Sequence, residues 1–314
     1  MIAFDQLHKQ ISDSQNILLL CHQNPDGDTL GAAGALAFFI SSAGHKKACI
    51  HCPDALPENF QFLKIKKFFT SQKPVLSDFD LLIFIDCADP RRSGLPAEFE
   101  EVKEKIYSVN IDHHATNPSY ANLNIIEAQA SSTCEIIYNF FRRQNMAISP
   151  EISTCLMTGI VTDTSFFTNK ATSAIATAAS SHLLNCGVNL KEVINNTWKN
   201  QSLESLKIWG EILSKLQFNP KYKIATSVII PQSTVNYSVF EGLANFLTAI
   251  YEADIILVLI QMDEQTIKGS LRTTKDNVDV ARLAKVWGGG GHAKAAGFSL
   301  KGKLVREDNC WKVR

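Results

Sequence analysis

The segment His22-Gln-Asn-Pro-Asp26-Gly-Asp28 gathers an imidazole and two carboxylates between an apolar run, Ile17 to Cys21, and a second that starts at Leu30. Imidazole and carboxylate together are ligands for borderline and hard divalent cations. Pro25 and Gly27 break any helix or strand, so the three side chains can converge from a loop. An Asp-Gly turn with aspartates capping a helix explains this segment equally well when it is taken alone.

The pattern recurs. The apolar run Leu81 to Ile85 ends in Asp86-Cys-Ala-Asp89, and Ile106 to Ile111 ends in Asp112-His113-His114. Open α/β sheets place ligands at the carboxyl ends of their strands, and three successive ends bearing Asp or His are hard to ascribe to solubility. A fourth element, Gly159-Ile-Val-Thr-Asp163-Thr, sets a carboxylate after an apolar helical run, where burial calls for a compensating charge; a cap or a nearby metal would meet that need. The carboxylates Asp26, Asp28, Asp86 and Asp163 with the imidazoles His22 and His113 exceed the ligand set of one tetrahedral zinc. They suit two divalent ions, Mn²⁺ first and Mg²⁺ or Co²⁺ next. Two ions about 3.5–4 Å apart need a bridging carboxylate, and Asp86, at the central strand end, is the natural one.

The elements that must hold these residues follow from periodicity. Runs at 17–21, 81–85 and 106–111 read as strands, and 30–42, 133–143, 151–160 and 173–184 as helices, the second opened by a capping box from Ser132 to Glu135. Alternation of this kind predicts an α/β fold, a doubly wound and mainly parallel sheet, over residues 1–186. Residues 187–219 read as a helical linker with stretches at 190–198 and 203–216. A smaller α/β domain follows over 220–314, with strands at 223–230, 255–260 and 266–273, helices near 241–251 and 278–287, and the loop Gly288 to Gly291.

Length and charge bound the function. The chain has 314 residues, enough for two cores, and its 31 basic and 31 acidic residues create no global positive field for long nucleic acid. No apolar run approaches the ~20 residues of a membrane span, and the first ten residues lack the basic-then-apolar order of a secretory signal. The eight scattered cysteines favour a reducing cytoplasm; Cys49 and Cys52, flanking His51, lack a second ligand pair for zinc and read as structural. His8, His45, His51 and His182 lie outside the motifs. Packing accounts for Trp198, Trp209, Trp287 and Trp311.

The four acidic elements, in this order, resemble the DHH phosphoesterase superfamily, whose triplet stands here as Asp112, His113 and His114. The resemblance implies one ion on His22, Asp26 and Asp86 and another on Asp28, Asp86, His113 and Asp163, with Asp112 supporting from behind. The segment Gly288-Gly289-Gly290-Gly291-His292-Ala-Lys-Ala-Ala-Gly297 looks like the glycine-rich motif of the DHH-associated domain, and Lys268-Gly-Ser270-Leu-Arg272 like its partner strand. Alternation puts Lys268, Ser270 and Arg272 on one face, and glycines admit a phosphate or base close to the backbone. Two departures occur: Ser165 replaces a glycine common after Asp163-Thr164, and Ala293-Lys294 replaces a Lys-Asn or Lys-Arg pair.

Together these features are similar to the stand-alone oligoribonuclease (nano-RNase) and phosphoadenosine-phosphate phosphatase group. The resemblance implies hydrolysis of short oligoribonucleotides to mononucleotides, and of 3′-phosphoadenosine 5′-phosphate to AMP. His114 would contact the phosphoryl group and assist the leaving oxygen, while Arg272, Ser270, Gly289, Gly290, Gly291 and His292 hold the far end of the nucleotide. Cyclic-dinucleotide phosphodiesterase, pyrophosphatase or exopolyphosphatase, and a nucleotide sensor without turnover are the alternatives. The oligomeric state stays open, although members of this group often form homodimers.

Overall fold

Short apolar runs bounded by turns are buried on both faces when they lie inside a parallel sheet. Five residues of Leu81–Ile85 and five of Asn16–Cys21 are fully buried in this way in the computed structural model, which describes residues 2–199, 202–230, 243, 246–307 and 310–314, with His292 and Cys310 described by backbone alone. Two compact units divide at Asn200/Gln201. No helix among the described residues is long and apolar enough to cross a membrane.

In the first unit, strands β1 (Asn16–Cys21), β2 (Lys47–His51), β3 (Phe69–Thr70), β4 (Leu81–Ile85), β5 (Tyr107–Asp112) and β6 (Leu123–Ile126) form one sheet in the order β3-β2-β1-β4-β5-β6. Every pairing in it is parallel. The order reverses between β1 and β4, the switch point at which doubly wound sheets open a crevice. Cys21 pairs with Ile85 and Ile85 with Ile111, so the next residues along, His22, Asp86 and Asp112, start level with one another at that crevice.

Helices α1 (Ile2–Asp13), α2 (Gly27–Ser42), α3 (Pro96–Val102), α4 (Thr133–Arg143), α5 (Pro150–Asp163), α6 (Ala174–Asn185) and α7 (Leu190–Thr197) complete this unit. Helices α2 and α5 cross in close contact. A Cβ on Gly27 would stand 2.5 Å from Thr162 Oγ1, and one on Gly31 would stand 2.4 Å from the Cys155 carbonyl oxygen. Since the start of α2 meets the end of α5, the helices run antiparallel. Asp26 and Asp28 are thereby carried to the helix end that bears Asp163.

The second unit opens with α8 (Leu203–Ser214), so the stretch 187–219 contributes one helix to each unit, with Val193 of α7 and Ile212 of α8 both buried. Its sheet joins β7 (Gln217–Asn219), β8 (Ile224–Ile229), β9 (Ile255–Gln261), β10 (Thr266–Arg272), β11 (Gly290–His292) and β12 (Ala295–Lys301) in the order β11-β12-β10-β9-β8-β7. Among the described residues of this sheet, only β8 and β9 pair in parallel. Helix α9 (Val280–Val286) and the hairpin β13 (Leu304–Glu307) and β14 (Cys310–Val313) follow. Of the helix expected at 241–251, residues 241, 242, 244 and 245 lie outside the described residues; Leu243 and Phe246 are helical, and Leu247–Ala249 form a 3-10 turn. The glycine loop is half strand, because Gly290 and Gly291 pair with Gly297 and Ala296.

Candidate metal centre

The first residue beyond β1 is His22, 4% exposed, with Nδ1 2.8 Å from the Gln23 carbonyl oxygen. Donation from Nδ1 to that carbonyl leaves the Nε2 lone pair for a cation, the tautomer a metal ligand requires. Nε2 lies 3.4 Å from Asp86 Oδ2 and 3.8 Å from Asp26 Oδ2. Burial pulls the imidazole pKa down, but hydrogen bonding to Asp86, the charges of Asp26 and Asp86 and the Gln23 carbonyl together outweigh it, so the net shift is upward.

Asp86 is 2% exposed and holds φ at +53°, in the left-handed region. That twist at the strand end divides its carboxylate between two neighbourhoods. Oδ2 faces His22, whereas Oδ1 lies 3.7 Å from His113 Nε2 and 3.3 Å from His114 Nδ1 and accepts a 3.3 Å hydrogen bond from Thr133 Oγ1. Burial alone would raise its pKa, but hydrogen bonds to His114 and His22 hold it well below the carboxylate range.

The remaining carboxylates are seated by helix ends. Asp26 Oδ1 caps α2 by accepting from the Asp28 and Thr29 amides, at 3.0 and 3.1 Å, so the capping reading and the ligand reading fit one residue. Asp28 is wholly buried and accepts from the Thr133 amide (2.7 Å) and the Cys134 amide (2.8 Å) at the positive end of α4. Burial, then repulsion from Asp86, pushes its carboxyl up to about 6. Asp163 ends α5 with Oδ2 3.3 Å from His113 Nε2; burial and the neighbouring Asp28, Asp26 and Asp86 push it well above the ordinary range. Carboxyls crowded in this way favour a positive charge among them.

Asp112 is buried and faces the other way. Its Oδ1 accepts from the His114 amide (3.1 Å) and lies 2.7 Å from His114 Nδ1, and Oδ2 accepts from Asn117 Nδ2 at 2.6 Å. The Ser119 amide donates to Asn117 Oδ1 at 2.9 Å, which fixes the orientation of the Asn117 amide. Burial would lower the His114 pKa, but Asp112 and then Asp86 lift it to about 10. His114 is thus clamped through Nδ1 by Asp112, which favours its protonated form.

Among the described residues, ligand atoms within 4.8 Å of one another form three groups: His22, Asp26 and Asp86; Asp28, His113 and Asp163; and Asp86, Asp112, His113 and His114. The first two bring together all six residues read from sequence and could each hold a divalent ion. In the third, Asp112 and the Nδ1 of His114 are taken up with each other. Sequence reading missed the Thr133 and Cys134 amides, Asn117, and Arg92, whose Nη2 lies 3.3 Å from His22 Nδ1. It also missed the backbone after Asp163. Ser165, Phe166 and Phe167 take φ of 48°, 59° and 63°, three successive left-handed residues that cost on the order of 1–2 kcal/mol each.

In the second unit, Arg272 pairs with Ala295 and Ala295 with His292, while Ser270 pairs with Gly297 and Gly297 with Gly290. The His292 side chain lies outside the described residues. Gly289 and Gly291 are explained by packing, since added Cβ atoms would stand 2.1 Å from the Gly297 carbonyl oxygen and 2.5 Å from that of Ala295. Only Gly290 of these three opens onto empty space.

Residues 16–160 match the DHH family, N-terminal domain, and residues 221–309 match the DHHA1 domain. A bifunctional oligoribonuclease and PAP phosphatase of Thermus thermophilus is 26% identical over 91% of this chain and 84% of its own. A cyclic-di-AMP phosphodiesterase of Bacillus subtilis is 27% identical over 96% of this chain, which spans 47% of that protein. An exopolyphosphatase-related protein from Bacteroides fragilis shares the fold, with a TM-score of 0.86 at 23% identity over 95% of this chain and 90% of that one.

Proposed function

The chain belongs to the DHH family of phosphoesterases, and we propose that it is a two-metal enzyme that hydrolyses short oligoribonucleotides to mononucleotides and 3′-phosphoadenosine 5′-phosphate to AMP. The observation that carries the metal assignment is the divided carboxylate of Asp86, one oxygen toward His22 and the other toward His113. On this reading His22, Asp26 and Asp86 hold one ion, and Asp28, Asp86, His113 and Asp163 the other. Mn²⁺ suits this mixture of carboxylate and imidazole best.

Two bound divalent ions would supply Lewis acidity at the phosphoryl oxygens and a lowered pKa for the attacking water. The protein supplies the rest. His114, kept cationic by Asp112, donates through Nε2 to the phosphoryl group and passes a proton to the leaving oxygen. The Thr133 and Cys134 amides hold Asp28 in place while charge moves. Arg272 and Ser270, with the open backbone at Gly290 and the residue His292, provide the nucleotide-recognition surface of the second unit, while Gly289 and Gly291 seat β11 against β12. Equal numbers of acidic and basic residues fit a small substrate over long nucleic acid, and the free thiols of the seven described cysteines fit a reducing cytoplasm.

The likeness over most of the Thermus relative favours linear substrates over cyclic ones. Incubation of the protein and Mn²⁺ with pApA, longer oligoadenylates, phosphoadenosine phosphate, cyclic di-AMP and pyrophosphate tests this. AMP should accumulate fastest from the first and third, oligomers beyond about five nucleotides should react slowly, and Asp86→Ala should abolish turnover. Release of phosphate from pyrophosphate alone, or an Asp86→Ala protein of full activity after chelation and metal return, would overturn the assignment.

A further inference from the structure

Beyond Asp86 the chain turns back toward His22, and two consecutive arginines on that turn have opposite environments. Asp89 caps the 3-10 turn Pro90–Ser93 and binds the guanidinium of Arg91 through Nε and Nη2 at 2.5–3.0 Å. Arg91 is 80% exposed, so this is an ordinary solvated pair. Arg92 is half-buried, and no carboxylate lies within ion-pair distance of it among the described residues. Its field reaches Asp89 and the Cys87 thiol without direct contact.

What Arg92 does touch is the metal centre. The Gln23 amide donates to the Arg92 carbonyl at 2.7 Å, fastening the turn to the loop that carries His22, and Arg92 Nη2 stands 3.3 Å from His22 Nδ1. In the tautomer that turns Nε2 toward Asp86, Nδ1 carries the proton given to the Gln23 carbonyl and has no lone pair for a guanidinium. Two donors therefore face each other. A cation partly withdrawn from water with no acceptor is unfavourable by itself, which points to an acceptor that arrives with a ligand.

We propose that Arg92 binds a phosphate oxygen of the substrate on the His22 side of the centre. The planar fork can give two parallel hydrogen bonds to phosphate, which a lysine ammonium at the same place cannot reproduce. It supplies positive charge that stays in place whatever the metal occupancy. This rests on the phosphoesterase reading above. Arg92 is then a catalytic residue by contact with the reacting group, one imidazole ring away from Asp86.

The test compares wild type, Arg92→Ala and Arg92→Lys, loaded with Mn²⁺, on pApA. The metal content of each should match wild type; Arg92→Ala should lose about 10²-fold in kcat/KM, as expected for one removed transition-state donor. Arg92→Lys should fall between, and millimolar guanidinium should restore part of the Arg92→Ala activity while leaving wild type unchanged. Activity of Arg92→Ala within threefold of wild type overturns the proposal. So does a loss that tracks lost Mn²⁺ and ignores guanidinium, which would make Arg92 a tether for the His22 loop. Calorimetry with inorganic phosphate on the Mn²⁺-loaded proteins separates this idea from the functional reading. Weaker phosphate binding by both variants supports Arg92 even if wild type fails to cleave pApA, and unchanged binding counts against it even if wild type cleaves.

Discussion

Replacing Gly159 by alanine sets two effects of known sign against each other. In the interior of α5, alanine should stabilise the helix by about 1 kcal/mol relative to glycine. The added Cβ, however, would lie 2.3 Å from Cys134 Sγ and 2.6 Å from Asp28 Oδ1, with Cys134 Cβ at 2.9 Å. These distances fall far inside the ~3.5–4.0 Å of ordinary carbon contact. Neither neighbour can simply rotate away, because Cys134 is fully buried and Asp28 is held by two amides. Overpacking costs about 1–3 kcal/mol, and each hydrogen bond to a charged group that Asp28 gives up costs roughly 1.5–3 kcal/mol more. After partial relaxation we expect a net loss of about 2–4 kcal/mol, which lowers Tm by roughly 5–15 °C. Because Asp28 is displaced, Mn²⁺ affinity at its site should also fall about 10–100-fold, the usual cost of disturbing a ligand's support. Thermal unfolding in chelator followed by Mn²⁺ titration measures both. Gly210→Ala, in α8 with open space around its Cβ, is the control and should stabilise. A Gly159→Ala protein as stable as wild type with two full-affinity sites would refute the steric argument.

Metal and pH should act together on stability. The Asp28 carboxyl, normally near 3.8, is pushed up to about 6 in the folded protein, so its contribution to metal-free stability is complete below about pH 4 and is lost as pH rises through about 6. A bound cation removes that deficit, so Mn²⁺ should raise Tm more at about pH 7.5 than at about pH 5, and equal shifts would contradict the linkage. Asn117→Ala frees Asp112 Oδ2 and loosens His114; kcat on pApA should drop about 10–100-fold with Mn²⁺ content unchanged, and loss of metal in proportion to activity would show that Asn117 supports ligands instead.

The strands that carry the site were legible because their burial on both faces leaves almost unbroken apolar runs, as in Leu81–Ile85. Strands outside the centre of the sheet carried no such signal. Lys47–His51 has only two buried residues, Phe69–Thr70 has none, and Leu123–Ile126 alternates over four. In the second unit, Ala295–Lys301 mixes small and polar residues around Gly297, and the glycines before it read as a loop although two of them pair in the sheet. The acidic and imidazole cluster was legible by residue type. Its supports were not, since the Thr133 and Cys134 amides are backbone donors that any residue supplies, 105 and 106 positions from Asp28. Arg92 meets His22 across 70 positions, a contact that no local pattern encodes.

The capping reading and the metal reading of the aspartates are two halves of one physical arrangement. Carboxylates crowded as Asp26, Asp28, Asp86 and Asp163 are would repel one another and splay apart if nothing else held them. Each is instead tied to the fold. Asp26 gives Oδ1 to the first turn of α2, Asp28 rests on the amides that open α4, and Asp163 closes α5 with its carbonyl bound by Asn169 Nδ2 at 2.7 Å. Asp86 continues the β-ladder through its amide to the Ile111 carbonyl oxygen at 2.9 Å while its backbone turns left-handed. Helix N-termini supply partial positive charge to the first two, which offsets part of the repulsion before any ion arrives. The ligands are thus set by backbone positions and by amide donors, and Asp28, whose two oxygens both accept from amides, still has a lone pair on each for a cation. A cation that enters has little left to order, and the preorganisation that a phosphoryl-transfer site needs is already built into the helix ends and the β1–β4 switch point.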